Sequence, residues 1–121
     1  MKRYNFSPSA IPGRIDTIDE RLQSILGKGN VKELALYLAE EVTLSIDEIQ
    51  NDLTLHESFE LLKAFFTKYQ PLSFNYIHKG RSSSGNGKYY IGKLTTSGGP
   101  FRTYIVTKNE KIIEIEFNIM K

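Results

Sequence analysis

Residues 88–120 have the sequence KYYIGKLTTSGGPFRTYIVTKNEKIIEIEFNIM, and this stretch decides the fold. It is rich in the β-branched and aromatic residues that favour strands, and turn-forming residues interrupt it at 97–100 and 109–110. Links of two to four residues join antiparallel neighbours, so the stretch predicts two successive hairpins. The three predicted strands are residues 88–96, 101–108 and 111–120.

A fourth strand is predicted at residues 72–79, ahead of a loop of glycine, serine and asparagine at 80–87. Four consecutive strands without room for a crossover helix predict an antiparallel meander. Apolar and polar residues also alternate at 42–46, which predicts an earlier strand with one covered face. Residues 49–53 are a weaker candidate for its partner.

Three helices are predicted before the meander. Five apolar residues recur at steps of three and four, which predicts a first helix. Asn30 with Glu33 resembles a capping box that opens a second helix, predicted to run to about Glu40. Thr54 with Glu57 opens a long third helix in the same way. The residues of the first stripe are Ile11, Ile15, Ile18, Leu22 and Ile25.

Helices grouped ahead of a sheet, instead of alternating with strands, are typical of the α+β class. The fold expected is therefore a set of N-terminal helices and a long third helix packed on a curved antiparallel sheet that ends in a four-strand meander. A length of 121 residues suits one domain. We expect a tail at residues 1–10 and a single domain at 11–121.

The composition argues against several functions. The 16 basic and 14 acidic residues give a net charge of only +2, which does not favour nucleic acid as a partner. The absence of cysteine excludes disulfides and thiolate ligands, and two histidines without a metal-binding spacing predict neither a metal nor a cofactor. The sequence contains no run of about 18 apolar residues, so no membrane span is expected.

Four short motifs stand out by their order and spacing. They are Phe65-Phe66, His78-x-Gly80, Tyr90-Ile91-Gly92-x-Leu94-x-Thr96-x-x-Gly99 and Phe101-Arg102-x-Tyr104. Together with the order of the elements, they make the chain from Ile11 onward similar to the nuclear transport factor 2-like superfamily. Within it, the chain resembles a bacterial family catalogued only as a domain of unknown function.

This resemblance implies a curved sheet that wraps the helices into a cone with a pocket. It also implies an exported protein, because members of the family usually carry an export signal. The N-terminus here has no apolar signal segment, so the default expectation is a cytoplasmic location. A chain from which a signal peptide had been removed would have the same sequence.

The register of the last hairpin decides which side chains could line a pocket. If Asn109 and Glu110 form a two-residue turn, strict alternation puts Arg102 and Tyr104 on the same face as Phe117, beneath the helices. An inward arginine needs an anion to offset its desolvation, which makes Arg102 a ligand candidate. A turn one residue longer or shorter would instead leave Arg102 outside, beside Glu114 or Glu116, in a solvated ion pair.

His78 shares its parity with Phe74 and Tyr76, so alternation places it on the buried face at the end of its strand. There it could act as a general base or hydrogen-bonding group at a pocket mouth, although a lone histidine at a strand end is more often structural. Aromatic and basic residues alternate nearby, and a sheet face of this kind is also suited to dimerisation.

The favoured hypothesis is a non-catalytic module that binds a small anionic or amphipathic ligand, or a protein partner such as a second copy of the chain. Binding would use the cone pocket or the sheet face. The alternative is an isomerase or dehydratase, with His78 or an inward carboxylate as base and Tyr90 or Tyr104 as hydrogen-bond donor. The tentative ligand-binding residues are His78, Tyr90, Arg102 and Tyr104.

Overall fold

The computed structural model describes residues 17–81 and 87–120, which form three helices and a six-stranded sheet. The predicted tail, the start of the first predicted helix and most of the predicted loop at 80–87 lie outside these residues. The elements are α1 (Ile18–Lys28), α2 (Val31–Ala35), β1 (Leu38–Ile46), β2 (Ile49–Thr54), α3 (Leu55–Lys68), β3 (Pro71–Arg81), β4 (Gly87–Thr96), β5 (Gly99–Lys108) and β6 (Lys111–Ile119).

The sheet has the strand order β2-β1-β6-β5-β4-β3. The α+β class, the long third helix and the terminal meander are confirmed. The prediction of an entirely antiparallel sheet is wrong, because β1 pairs with β6 in parallel. A short link determines the relative direction of the two strands that it joins. β1 and β6 are the first and last strands of the chain, so no short link indicates their relative direction.

Reciprocal hydrogen bonds at capping boxes start two of the helices. In α1, the Thr17 side chain accepts from the Glu20 backbone N–H, and the Glu20 carboxylate accepts from the Thr17 backbone N–H. Thr54 and Glu57 do the same for α3, as the sequence predicts. Gly29, with a φ of 66°, ends α1 in the left-handed conformation that glycine adopts at little cost.

The second helix is much shorter than predicted. It ends at Ala35, and the residues from Leu38 onward belong to β1 instead of continuing the helix to Glu40. The Tyr37 carbonyl accepts a hydrogen bond from the Ile112 backbone N–H at the start of this strand. Pairing with β6 therefore replaces the helical hydrogen bonds that the capping signal at Asn30 initiates.

The helices pack on one face of the sheet, which we call the inner face. Phe65 of α3 stacks on Phe117 of β6 with ring centroids 4.6 Å apart, and it meets the edge of Phe101 of β5 at 5.2 Å. Near the β3 edge of the sheet, Lys79 forms a 2.8 Å salt bridge with Asp19 of α1. The fully buried apolar side chains include Leu22, Leu26, Leu34, Leu44, Leu62, Leu94, Ile105, Ile115 and Phe117.

Two tight turns link consecutive antiparallel strands. The β1–β2 turn contains Asp47 and Glu48, and the β5–β6 turn contains Asn109 and Glu110. All four residues have a positive φ between 50° and 73°, as the two central residues of a type I′ turn require. The predicted two-residue turn at Asn109 is therefore confirmed.

Candidate functional site

A β-bulge in the last hairpin decides where the candidate arginine lies. Thr107 pairs with Ile112, but the next residue along β5, Val106, pairs with Glu114, so Ile113 has no residue opposite it. Beyond this point every side chain of β6 is shifted by one position relative to β5. The tight turn was predicted correctly. The extra residue in β6, however, reverses the predicted orientation of the β5 side chains relative to Phe117.

Arg102 and Tyr104 consequently point away from the helices. Arg102 pairs with Asn118 and is exposed, Tyr104 pairs with Glu116, and the buried residue opposite Phe117 is Thr103. The predicted inward orientation of Arg102 and Tyr104 is wrong, because one bulged residue moves a strand's side chains to the other face. Arg102 lies outside, as in the alternative, but its neighbours across the strands are Lys93 and Asn118, and the ion pair with Glu114 or Glu116 that the alternative expected is not among the contacts of the described residues.

A second bulge reverses the orientation of the candidate histidine. Tyr76 pairs with Gly92 and His78 pairs with Ile91, which leaves Ile77 as the extra residue of β3. Tyr76 therefore lies on the inner face, whereas His78 lies on the opposite face and is exposed. The predicted inward orientation of His78 is wrong for the same physical reason as that of Arg102.

Tyr90 is the one of the four candidate residues that is buried against the helices. It is 4% exposed, and its ring centroid lies 5.7 Å from that of Tyr76. Burial raises the pKa of the Tyr90 phenol, and a hydrogen bond with Thr107 acts in the opposite direction. The structure thus separates Tyr90 from His78, Arg102 and Tyr104 by the thickness of the sheet.

The side chains of β3–β6 that point away from the helices form what we call the outer face. Neighbours paired across the strands share this face, so its membership follows from the register. Isoleucine, valine and two tyrosines lie at its centre, Lys93 and Arg102 at one side, and two glutamates at another, and Lys108 follows Val106 on the same face of β5. Its main residues are His78, Tyr89, Ile91, Lys93, Arg102, Tyr104, Val106, Glu114, Glu116 and Asn118.

Aromatic contacts cross the outer face from β3 to β5. The Nε2 atom of His78 lies 3.1 Å from the Tyr89 hydroxyl, and the rings of Tyr89 and Tyr104 are 6.5 Å apart between centroids. The Tyr89 ring also lies over Gly80, where a β-carbon would come within 2.5 Å of it. Glycine at position 80 therefore allows the ring to lie flat on the sheet beside His78.

The acidic side of the outer face is a pair of interacting carboxyl groups. Burial raises the pKa of Glu114, and a hydrogen bond with Glu116 and the charge of Glu116 raise it further. The pKa of Tyr104 is also raised, by burial first and then by Glu114 and Glu116. Asn118 donates a hydrogen bond from Nδ2 to the Glu116 carboxylate at 3.3 Å. This side of the face therefore carries two carboxyl groups close enough to influence each other's protonation.

The surface clefts of the described residues include three that we describe by their lining. One of about 270 Å³ includes Arg21 and Tyr37, and the others, of about 500 and 640 Å³, meet at Ile113. Although His78, Tyr90, Arg102 and Tyr104 are all described, none of them lines these clefts. The described residues also contain no cluster of His, Asp and Glu suited to a metal ion.

Comparison with known proteins gives a family match over most of the chain. The profile of the family named Domain of unknown function (DUF4783) matches residues 20–119. The chain belongs to this family. Among curated proteins, no significant match was found.

Solved structures agree with this membership. A DUF4783 family protein from Bacteroides uniformis ATCC 8492 is 25% identical, with a TM-score of 0.81 over 87% of this chain and 99% of that one. A DUF4783 family protein from Bacteroides fragilis YCH46 is 28% identical, with a TM-score of 0.77 over 88% and 100% of the two chains. The resemblance noted from the four motifs is confirmed.

The wider superfamily is recognised by fold alone. An NTF2-like protein of unknown function from Exiguobacterium sp. 255-15 is 13% identical, with a TM-score of 0.57 over 84% of this chain and 97% of that one. The chain therefore has the nuclear transport factor 2-like fold. Within residues 17–81 and 87–120, no helix combines the length and the apolar character needed to cross a lipid bilayer.

Proposed function

We propose that this domain is a non-catalytic module that binds a protein partner on the outer face of its sheet. The observation that carries the proposal is the pair of bulges, at Ile77 and Ile113, which turn His78, Arg102 and Tyr104 outward. Tyrosine and arginine are enriched at protein interfaces, where they provide large contact areas and directional hydrogen bonds.

The centre of the outer face has the composition of an interface core. Tyr89, Ile91, Tyr104 and Val106 are all half-buried, and they are cross-strand or diagonal neighbours on β4 and β5. Their exposed apolar area is surrounded by charged and polar side chains, and apolar patches with polar rims mark interaction sites. None of the three clefts described above includes these four residues, whereas a small molecule needs a concave site, so the face suits a protein better than a small ligand.

The positions of the other candidate residues weaken the small-ligand and enzyme hypotheses. Tyr90 lies on the inner face, so it cannot act together with Arg102 or Tyr104 on one small molecule. His78 contacts the Tyr89 hydroxyl on an open surface, and a general base acts best on a substrate held in a water-excluding cleft.

Photo-crosslinking tests the proposal directly. Tyr104 is replaced by the photoreactive residue p-benzoylphenylalanine in cells that naturally produce the chain, and Glu60, exposed on α3, receives the same residue as a control. We expect discrete protein adducts from position 104 and none of these from position 60. Identical patterns from both positions, or no protein adduct from position 104, would overturn the proposal.

A thermal-shift screen tests the competing ligand hypothesis. If an anionic or amphipathic compound raised the melting temperature, and Arg102→Ala abolished the rise, the outer face would be a small-ligand site. That result, together with no protein adduct at position 104, would replace the proposal with a ligand-binding function.

A further inference from the structure

Two cations lie directly opposite each other on the outer face, in a row of side chains that contains no carboxylate. Lys93 of β4 pairs with Arg102 of β5, and Asn75 of β3 and Asn118 of β6 extend the row on either side. We call these four residues the cation row. Like charges directly opposite each other on neighbouring strands destabilise a sheet, so the stability of the fold does not account for this pair.

The chain itself does not neutralise the two cations. Among residues 17–81 and 87–120, Lys93 and Arg102 form no hydrogen bond and no salt bridge, and both side chains are exposed. Glu116 lies diagonally across the strands, with its Cα atom about 8 Å from that of Arg102, and its carboxylate accepts a hydrogen bond from Asn118 instead. The donors of the ammonium and guanidinium groups are therefore free to bind an anion from outside the chain.

A second pair of cations on the outer face differs in this respect. Lys108 and Lys111 form the last cross-strand pair before the β5–β6 turn, about 20 Å from Arg102 along β5. Lys108 and Arg102 thus flank the two glutamates of β6 from opposite ends. The Lys111 ammonium donates a 2.7 Å hydrogen bond to the Leu36 carbonyl, so the chain itself binds one cation of this second pair.

We propose that the partner of the outer face presents a carboxylate to the cation row, on an extended acidic segment that carries an apolar residue two positions further along. This inference rests on the outer face being a binding surface, as proposed above. A guanidinium binds both oxygens of a carboxylate at once, and the neighbouring ammonium adds a further charge-assisted hydrogen bond. The carboxylate also removes the repulsion between Lys93 and Arg102.

The next row of the outer face fits the rest of such a segment. It contains Ile91 and Tyr104, which are paired neighbours on β4 and β5 and are half-buried. Successive rows are two residues apart along each strand, or about 7 Å, and side chains two positions apart in an extended segment have the same separation. A segment that runs along the strands with its carboxylate over Arg102 therefore places its apolar residue over Tyr104.

The two glutamates of β6 orient the segment. Glu116 pairs with Tyr104, and Glu114 lies two positions further from the cation row. Like charges brought together across an interface lower its affinity. We therefore expect the acidic end of the segment to bind over Lys93 and Arg102, and the part that extends past Tyr104 to be uncharged or basic.

Titration of the isotope-labelled chain with three synthetic peptides tests the proposal. The probe is acetyl-Ser-Glu-Ser-Phe-Ser-amide, and the two controls carry glutamine or lysine in place of the glutamate. In heteronuclear correlation spectra, we expect the probe to shift the amide resonances of Lys93, Arg102 and Tyr104. We also expect it to bind at least about tenfold more tightly than the glutamine peptide, because hydrogen bonds between charged groups are stronger than neutral ones.

Matched double variants locate the bound carboxylate. Lys93→Gln with Arg102→Gln should abolish the preference for the glutamate peptide over the glutamine peptide. Lys108→Gln with Lys111→Gln makes the same change of charge on the same face, and it should retain that preference. Circular dichroism verifies that both variants are folded.

Three results would overturn the proposal. One is a glutamate peptide that binds no more tightly than the glutamine peptide. Another is a preference that survives in Lys93→Gln with Arg102→Gln. The third is inorganic phosphate that shifts the same resonances as strongly as the probe at equal concentration, because the occupant would then be a small free anion instead of a protein segment.

The fate of the proposed function is read separately, from the photoreactive residue at position 104. Protein adducts that persist in Lys93→Gln with Arg102→Gln would leave the outer face as a docking surface and remove only the acidic segment. The absence of adducts from position 104, together with no preference for the glutamate peptide, would remove both proposals.

Discussion

Thr103 occupies a position that is unfavourable for its hydroxyl group. Its side chain is completely buried on the inner face, and its hydroxyl has no hydrogen-bond partner among the described residues. A buried hydroxyl without a partner costs about 1–3 kcal/mol. We therefore expect Thr103→Val, which keeps the shape of the side chain, to raise the free energy of unfolding by about 1 kcal/mol in urea titrations.

Thr107 provides the matched control on the same strand and face. It is almost as buried, at 2% exposed, but its hydroxyl is not among the buried groups without a partner, and it lies close enough to the Tyr90 phenol to lower the pKa of that group. Thr107→Val should lower the free energy of unfolding by about 1 kcal/mol, because it leaves the partner of that hydroxyl without its hydrogen bond. Equal effects of the two substitutions would show that the hydroxyl of Thr103 does have a partner.

Glu110 stores conformational strain in the β5–β6 turn. Its φ is 62°, and the left-handed conformation costs a non-glycine residue about 1–2 kcal/mol. Glycine avoids this cost but loses about 0.5–1 kcal/mol of chain entropy on folding. Glu110→Gly should thus stabilise the fold by up to about 1 kcal/mol, whereas Glu40→Gly, within β1, should destabilise it. Urea unfolding measures both, and destabilisation by Glu110→Gly would contradict the turn geometry.

Glu114 should make stability depend on pH in a particular direction. Because its pKa is raised in the folded chain, the folded state binds a proton more tightly than the unfolded state does. The contribution of this group is therefore fully present below the usual carboxyl range, and it is lost as the pH rises through the raised pKa. Glu114→Gln should remove that loss, and Glu116→Gln should reduce it.

Unfolding measured from pH 4 to pH 8 tests this expectation, and nuclear magnetic resonance titration of Glu114 gives the pKa itself. We expect the free energy of unfolding of the wild type to fall relative to that of Glu114→Gln as the pH rises across this window. A rise would contradict the raised pKa of Glu114. An unchanged pKa of Glu114 in Glu116→Gln would mean that the two carboxyl groups do not interact.

At the scale of elements, short sequence patterns correctly predicted the features that depend on contacts between residues close together in the sequence. The capping box at Thr54, the turn at Asn109 and the order of the strands all depend on residues within a few positions of each other. The second helix was predicted too long because a distant strand, β6, pairs with the segment after Tyr37. The parallel direction of β1 and β6 depends on the same distant pairing.

The bulges explain why the candidate site was assigned to the wrong face. Strict alternation assumes that each residue has one partner, and a single extra residue reverses every later position. The adjacent apolar residues at the bulges, Tyr76-Ile77 and Ile112-Ile113, do not reveal them. Similar runs, Tyr89-Tyr90-Ile91 and Tyr104-Ile105-Val106, lie where β4 and β5 pair without any irregularity.

Deletion of Ile113 tests the bulge itself. Ile113 has no partner on β5, so its removal should leave Glu114 opposite Val106 and Phe117 opposite Thr103, and the protein should stay folded. Deletion of Glu116, from the regular part of β6, should instead turn Phe117 outward and unfold the chain. Heteronuclear correlation spectra distinguish these results, and unfolding by the Ile113 deletion alone would contradict the register.

At the scale of the whole molecule, the account depends on a sheet with two different faces. The inner face is closed by three helices around Phe117, and the outer face carries Arg102 and Tyr104 with their charged neighbours. If the bulges were absent, these two residues would lie under the helices and the binding surface would not exist. Their orientation is thus the central claim.

Cysteine labelling along β5 tests this claim most directly, because the native chain has no cysteine. Single cysteines at positions 102, 103, 104 and 105 are treated with a thiol reagent in dilute solution under native conditions. We expect rapid labelling at 102 and 104 and slow labelling at 103 and 105. Rapid labelling at 103 and 105, with protection at 102 and 104, would contradict the account.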